Sequence, residues 1–122
     1  MNQRAVRGQR AEKTALRWLK SRGLNIVKRN YRCRYGELDL IMRDKATLVI
    51  VEVRARAGAE FLSPVLSIDH HKQAKIIRSA EYFLQQHPGY ADNAVRFDVI
   101  ALTGENESGI EWIRDAFTAD QD

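Results

Sequence analysis

A chain of 122 residues, 44% of them hydrophobic and 30% charged, suits one domain, 1–122, whose core needs neither disulfides nor a structural metal. It holds no apolar run of the ~18 residues that suggest a membrane span. Its start, Met1-Asn2-Gln3-Arg4-Ala5-Val6-Arg7, lacks the apolar core of a signal peptide, so a cytoplasmic protein without a membrane partner is expected. The single cysteine, Cys33, agrees with a reducing compartment. The net charge of +4 conceals an asymmetry: residues 1–35 carry eleven Lys or Arg against one acid, Glu12, while the remainder carries nine basic and fifteen acidic residues. Such a basic block raises the local anion concentration and suits a phosphate backbone; the competing reading is a solvated helix face.

The first segment, to about Arg22, reads as a helix ended by Gly23. Gly8, Ala11, Ala15, Leu16 and Leu19 fall at the i, i+3, i+4, i+7 spacing of an inward stripe. Glu12 lies on that stripe, where an acid is out of place. Leu24 to Arg32 and Gly36 to Met42 are strand-like, followed by the turn Arg43-Asp44-Lys45-Ala46 and a third strand, Thr47 to Val53. Their short connections imply antiparallel pairing. A second helix is predicted from around Asp69 to about Gln86, with Ile76, Ile77, Ala80, Phe83 and Leu84 as its core face and His87-Pro88-Gly89 as its stop. Val95 to Leu102 and Ile110 to Arg114 read as the last strands. The order αβββαββ implies an α/β fold of the α+β kind, one mixed sheet with helices against it.

Two of the most apolar stretches contain acids: Glu37-Leu38-Asp39-Leu40-Ile41 and Leu48-Val49-Ile50-Val51-Glu52-Val53-Arg54. A carboxylate among β-branched residues is costly to bury unless it binds a cation or a hydrogen-bond donor. Alternation puts Glu37 and Asp39 on one face of the second strand, and Glu52 and Arg54 on one face of the third. A turn at Asp44-Lys45 sets Glu37 opposite Glu52. A loop two residues longer and centred one residue on sets Asp39 there, and either register keeps Asp39 and Glu52 within reach. Glu12 joins them if the first helix crosses that face.

Hydrolysis of a phosphodiester calls for a cation that neutralises the developing charge and acidifies the attacking water. Mg²⁺ takes oxygen ligands, keeps several waters and usually binds one or two protein carboxylates plus phosphate oxygens. Asp39 and Glu52 meet that requirement, and the carbonyl of Val53 can add a ligand. Arg54, on the same strand face as Glu52, can orient the water or stabilise the pentavalent phosphorus. The competing reading makes these acids structural partners of neighbouring arginines.

Other residues are given quieter roles. Asp98, in Val95-Arg96-Phe97-Asp98-Val99-Ile100, is read as a structural partner for an arginine rather than a metal ligand. His70 and His71 point about 100° apart on a helix, so a zinc pair is not expected, and a phosphate contact at the helix start is the role left to them. Cys33 has no neighbouring His and is read as filler. Trp18, Tyr31, Tyr35 and Tyr90 can stack on bases, but their spacing gives no platform and packing roles are preferred.

Several motifs in order carry a resemblance: Gly8-x₃-Glu12-x₂-Ala15, Asn30-Tyr31-Arg32, Gly36-Glu37-Leu38-Asp39-Leu40-Ile41, Val51-Glu52-Val53-Arg54-x-Arg56, Lys72 and Arg96-Phe97-Asp98-Val99. With them the chain resembles the bacterial YraN-type family, related to archaeal Holliday-junction resolvases and to the restriction-endonuclease-like superfamily with the PD-(D/E)xK motif. The resemblance covers nearly the whole chain. It implies a restriction-endonuclease-like core, a divalent metal, and cleavage of structured nucleic acid. Carried over by motif position, Asp39 and Glu52 are the metal-binding acids and Glu12 is the helix acid completing the site. Glu37 belongs to the signature, and Lys72 matches a position where the family usually has Lys, there to meet a phosphate. The family usually has Lys where this chain has Arg54, Gly where it has Ala11, and a Gly in the loop that here reads Phe61-Leu62-Ser63-Pro64. Arg effectively cannot lose a proton, so Arg54 can hold a phosphate or orient a water but cannot act as a base.

The expectation is an endonuclease acting on branched or otherwise structured DNA, with DNA favoured over RNA, through Mg²⁺ or Mn²⁺, with Glu12, Asp39, Glu52 and Arg54 as catalytic residues. Arg7, Arg10 and Arg34 of the basic N-terminal third, with Arg56 and Lys72, grip the backbone; Glu37 and His71 are secondary candidates. A homodimer follows by analogy with the two-fold resolvases. The alternative is a binding module that keeps the nuclease fold but cleaves nothing because of Arg54; a third reading makes the acids structural in an interaction protein.

Overall fold

The computed structural model describes residues 3–56, 68–104 and 107–119. Seven principal elements follow the expected order: α1 (Gln3–Ser21), β1 (Asn25–Cys33), β2 (Gly36–Asp44), β3 (Thr47–Arg56), α2 (His70–Gln86), β4 (Ala94–Thr103) and β5 (Ile110–Phe117). Short 3₁₀ turns at Pro88–Tyr90 and Glu107–Gly109 precede β4 and β5. The strands lie side by side in sequence order. The β3–β4 pair is parallel and the other three are antiparallel, so the sheet is mixed. The parallel step is the one bridged by α2, as a crossover between parallel strands requires.

Alternation along β3 explains the layers. Leu48 and Ile50 pack with Ile76, Ala80 and Phe83 of α2, while Val49 and Val51 pack with Ala15, Leu16 and Leu19 of α1. One helix therefore covers each face. A strand buried on both sides reads as an unbroken apolar run, which is why 48–51 shows no polar alternation. On α1 the predicted stripe is buried at Ala11, Ala15, Leu16 and Leu19, together with Thr14. Gly23, with φ 97°, ends the helix, and the Leu24 N–H turns back to the Leu19 carbonyl at 3.1 Å.

Two irregularities position the site. The β2–β3 turn is Lys45-Ala46, closed by the pair Asp44 and Thr47, with Lys45 at φ 56°. This adopts the register that sets Asp39 against Glu52, with a loop shorter than that register was expected to need. The ladder runs from Asp44–Thr47 only to Leu40–Val51 and then stops. Beyond it, Leu38 joins the α2 cluster whereas Leu40 joins the α1 cluster. Alternation thus skips between Leu38 and Leu40, and Asp39, at the skip, turns its carboxylate to the edge of β3, while Asp39 and Glu37 both stay close enough to act on Glu12. On β1 the residue between the pairs Arg29–Leu40 and Tyr31–Leu38 is Asn30, at φ 50°, a conformation that Asn tolerates better than most residues.

The second irregularity surrounds Asp98. Between the pairs Phe97–Phe117 and Val99–Ile113 the register shifts, and β5 bulges opposite Asp98 with Asp115 at φ 52°. Asp98 is fully buried. It accepts a two-pronged contact from Arg96 at 2.9 and 3.0 Å, the indole N–H of Trp112 at 2.9 Å and the backbone N–H of Asp115 at 2.9 Å. Every acceptor direction is used, so the structural reading of this acid holds.

Candidate metal and nucleic-acid site

Where β2 leaves β3, the side chain of Asp39 takes the place of a strand partner: its Oδ2 accepts the Val53 N–H at 2.8 Å. The N–H and C=O of one strand residue leave the same edge. The Val53 carbonyl therefore faces the same gap as the Asp39 carboxylate. Glu52, one residue earlier, is 6% exposed and hydrogen-bonds with Asp39.

Two cations converge on one oxygen of Glu52. Arg54 Nη2 stands 3.8 Å from Oε1, and Lys72 Nζ, delivered from the other side by α2, stands 3.7 Å from it. Local chemistry sets the lysine's place. Asp69 caps the helix by accepting the Lys72 backbone N–H at 2.8 Å, and buried Gln73 donates to the Ile68 carbonyl at 3.0 Å, locking the first turn. The Nε of Arg54 is buried with no hydrogen-bond partner.

Burial first, then the neighbouring Asp39 carboxylate, pushes Glu52 up to about 8 despite Lys72 and Arg54. Burial raises Asp39 as well, opposed by its hydrogen bond from Val53. Glu12, half-buried on α1, is pushed up to about 7 by burial and by Asp39 and Glu37, with Arg29 and Arg32 acting the other way. All three acids are thus shifted toward the protonated form, and a bound cation would oppose that shift. Their oxygens, with the Val53 carbonyl, form a hard donor set of the kind Mg²⁺ and Mn²⁺ prefer. Among the described residues no three Asp, Glu, His or Cys side chains converge as a cage. The fit is therefore to a cation held by the pair Asp39 and Glu52 plus backbone, with Glu12 acting through its charge near Asp39 rather than as a third ligand in place.

The remaining predicted residues separate into groups. Asp39, Glu52, Val53, Arg54 and Lys72 come together. Glu37 is exposed and faces Arg32 at 3.5 Å. His71 is exposed beside Arg34 in a surface cleft, and Arg10 is exposed on α1. The side chains of Arg7 and Arg56, and the loop Phe61-Leu62-Ser63-Pro64, lie outside the described residues. Of the aromatics, Trp18 packs edge-on against Trp112, and Tyr31 and Tyr90 pack on Phe83. Sequence reasoning missed Lys75 and Arg78, which line the cleft with His71. Their spacing from His71, i+4 and i+7, marks one helix face and is the signal that pointed to them.

Fold and site define an α/β domain with a carboxylate pair and two cations at a split in a mixed sheet. The chain belongs to Uncharacterised protein family UPF0102, whose model matches residues 11–102, in line with its YraN-type motifs. It is 51% identical over 117 residues to a UPF0102 protein of Ralstonia nicotianae, covering 93% of this chain and 87% of the relative. It is 48% identical over 112 residues to one of Methylobacillus flagellatus, covering 92% and 96%, and 42% identical over 112 residues to one of Alcanivorax borkumensis, covering 90% of each. Among the described residues no helix is long and apolar enough to cross a membrane.

Proposed function

We propose that this protein is a Mg²⁺- or Mn²⁺-dependent endonuclease that hydrolyses phosphodiester bonds of structured DNA, built on a restriction-endonuclease-like core. The observation that carries the reading is the meeting of Asp39, Glu52 and Lys72 at the end of the β2–β3 ladder. A strand, a neighbouring strand and a helix supply one group each, at the place where the β2–β3 ladder ends.

The cation, when bound, supplies charge neutralisation and an acidified water. Asp39 and Glu52 hold it, with Asp39 fixed in turn by the Val53 N–H. Lys72 holds its ammonium at the rim of the acid pair, 42% exposed at its side chain, where it meets a phosphate oxygen and offsets charge on the pentavalent phosphorus. Arg54 keeps its guanidinium on Glu52 and so helps to fix that carboxylate. In this reading Lys72 takes over the task that the strand lysine performs elsewhere in the superfamily, so the arginine at 54 does not by itself abolish catalysis.

Incubation of wild type, Glu52→Gln and Lys72→Met with duplex, single-stranded, flap and four-way DNA and RNA, plus Mg²⁺ or Mn²⁺, tests it. Cleavage of a branched DNA by wild type alone supports the proposal. Binding without cleavage on every substrate favours the non-catalytic module, for which the presence of Arg54 on Glu52 speaks.

A further inference from the structure

Beside the acid pair, the outer face of α2 and the β1–β2 turn enclose a cleft of about 410 Å³ lined by Arg34, Tyr35, His71, Ala74, Lys75 and Arg78. It continues past Tyr35 and Arg78 into a shallower hollow of about 260 Å³ that adds Tyr82, Gln85 and Glu81. Among the described residues the first part has no acid in its lining, and Glu81 stands at the far end.

The cleft is held in shape by packing. Gly36, at φ 150°, brings the turn so close to α2 that a Cβ there would lie 3.4 Å from Ser79 Oγ and 3.8 Å from Lys75 Cβ. Tyr35 meets Tyr82 of α2 edge-on at 5.8 Å, and the Arg34 guanidinium lies 5.0 Å from the Tyr35 ring centre. An aromatic ring is thus anchored at its edge, half-exposed, and ringed by cations. Lys72, which reaches Glu52, follows His71 on α2, so the helix that lines the cleft also carries a cation to the acid pair.

We infer that this cleft holds a single-stranded segment of the DNA substrate, its phosphates on Arg34, Lys75 and Arg78 and a base against Tyr35. This rests on the nuclease reading for its direction, since a strand laid here runs toward Lys72 and the carboxylates. The occupant follows from the chemistry of the walls: three fixed positive charges match a phosphate backbone, and a π-face placed among them matches a base that is not paired within a duplex. Glu81 repels phosphate at the far end and leaves Gln85 and Tyr82 as neutral contacts there.

Fluorescence anisotropy in EDTA, with labelled oligo(dT), oligo(rU) and a blunt duplex, separates binding from cleavage. Tyr35→Ala is expected to lose about fivefold to a hundredfold in oligo(dT) affinity, with Tyr35→Phe close to wild type. The exposed pair Lys75→Gln/Arg78→Gln is expected to lower the log–log salt slope by about 1.4, with the thermal midpoint unchanged as a check of folding. Oligo(dT) binding by Tyr35→Ala equal to wild type, equal losses on the blunt duplex, or a preference for oligo(rU) overturns the inference. If nothing is ever cleaved, this binding pattern still stands or falls alone; if cleavage is found and Tyr35→Ala binds normally, only the cleft is wrong.

Discussion

Lys72 Nζ stands 3.7 Å from Glu52 Oε1, on the same oxygen that Arg54 approaches at 3.8 Å. A strand cation and a helix cation thus address one carboxylate from two elements. Only the lysine combines substantial exposure with a compact, mobile ammonium.

Lys72→Met is therefore expected to reduce the single-turnover rate on a branched DNA by about 100- to 1000-fold, in the range for loss of one transition-state donor. Arg54→Lys is expected to keep most of the rate. Rapid-quench assays with enzyme in excess separate the two, and a larger loss in Arg54→Lys than in Lys72→Met would return the catalytic cation to the strand.

Cation binding should expel a proton near neutral pH, because burial and Asp39 hold Glu52 up to about 8 and a ligand carboxylate must be ionised. Titration calorimetry with Mn²⁺ in two buffers of different ionisation enthalpy measures that proton directly. Affinity should rise as pH increases toward about 8, and Asp39→Asn should abolish the signal. Heats that do not depend on the buffer would contradict the protonated pair.

The metal-free protein should lose stability as pH rises. The folded Glu52 is raised from 4.5 to about 8, so the native state binds more protons than the unfolded state between those values. Its contribution is fully present below 4.5 and is lost as pH rises through about 8. Glu12 and Asp39 shift in the same direction. Urea midpoints should therefore fall between pH 6 and pH 9, and Glu52→Gln should flatten that slope.

Two buried acids should respond oppositely to neutral replacement. At alkaline pH without metal, Glu52→Gln removes a poorly compensated charge and should raise the urea midpoint. Asp98→Asn leaves partly buried Arg96 with Asp44 as its only carboxylate among the described residues and sets an NH₂ against half of the donors that Asp98 accepts from Arg96, Trp112 and Asp115, and should cost about 3 to 5 kcal/mol. Equal effects at the two positions would mean that the distinction between a functional and a structural acid is misdrawn.

How far these features could be read from residues alone depends on the range of the interactions behind them. The stripe Ala11-Ala15-Leu16-Leu19 and the apolar run of β3 reflect local periodicity, so both helices and the five strands among the described residues were legible, with ends off by at most three residues. Pairing of Asp39 with Glu52 followed from strand register. The end of the ladder at Leu40–Val51 did not, because it depends on a side chain replacing a backbone partner. The reach of Lys72 and the joining of Tyr35 to Tyr82 depend on how α2 docks on the sheet, which no spacing encodes. Asp98 was legible in kind, since a fully apolar strand with one acid and a nearby arginine invites a pair, but its Trp112 and Asp115 donors arise from a bulge in another strand.

The bond from Val53 N–H to Asp39 makes that carboxylate a wedge as well as a proposed ligand. It occupies the place where β2 would otherwise zip onto β3 for another step. An alanine at 39 removes the wedge, frees the Val53 N–H for a backbone carbonyl and lets the seam close over the space the substrate needs. Loss of function in that variant would merge two causes, missing chemistry and missing room, whereas asparagine keeps an acceptor for Val53 and leaves the seam open, so the two causes can be told apart at a single position.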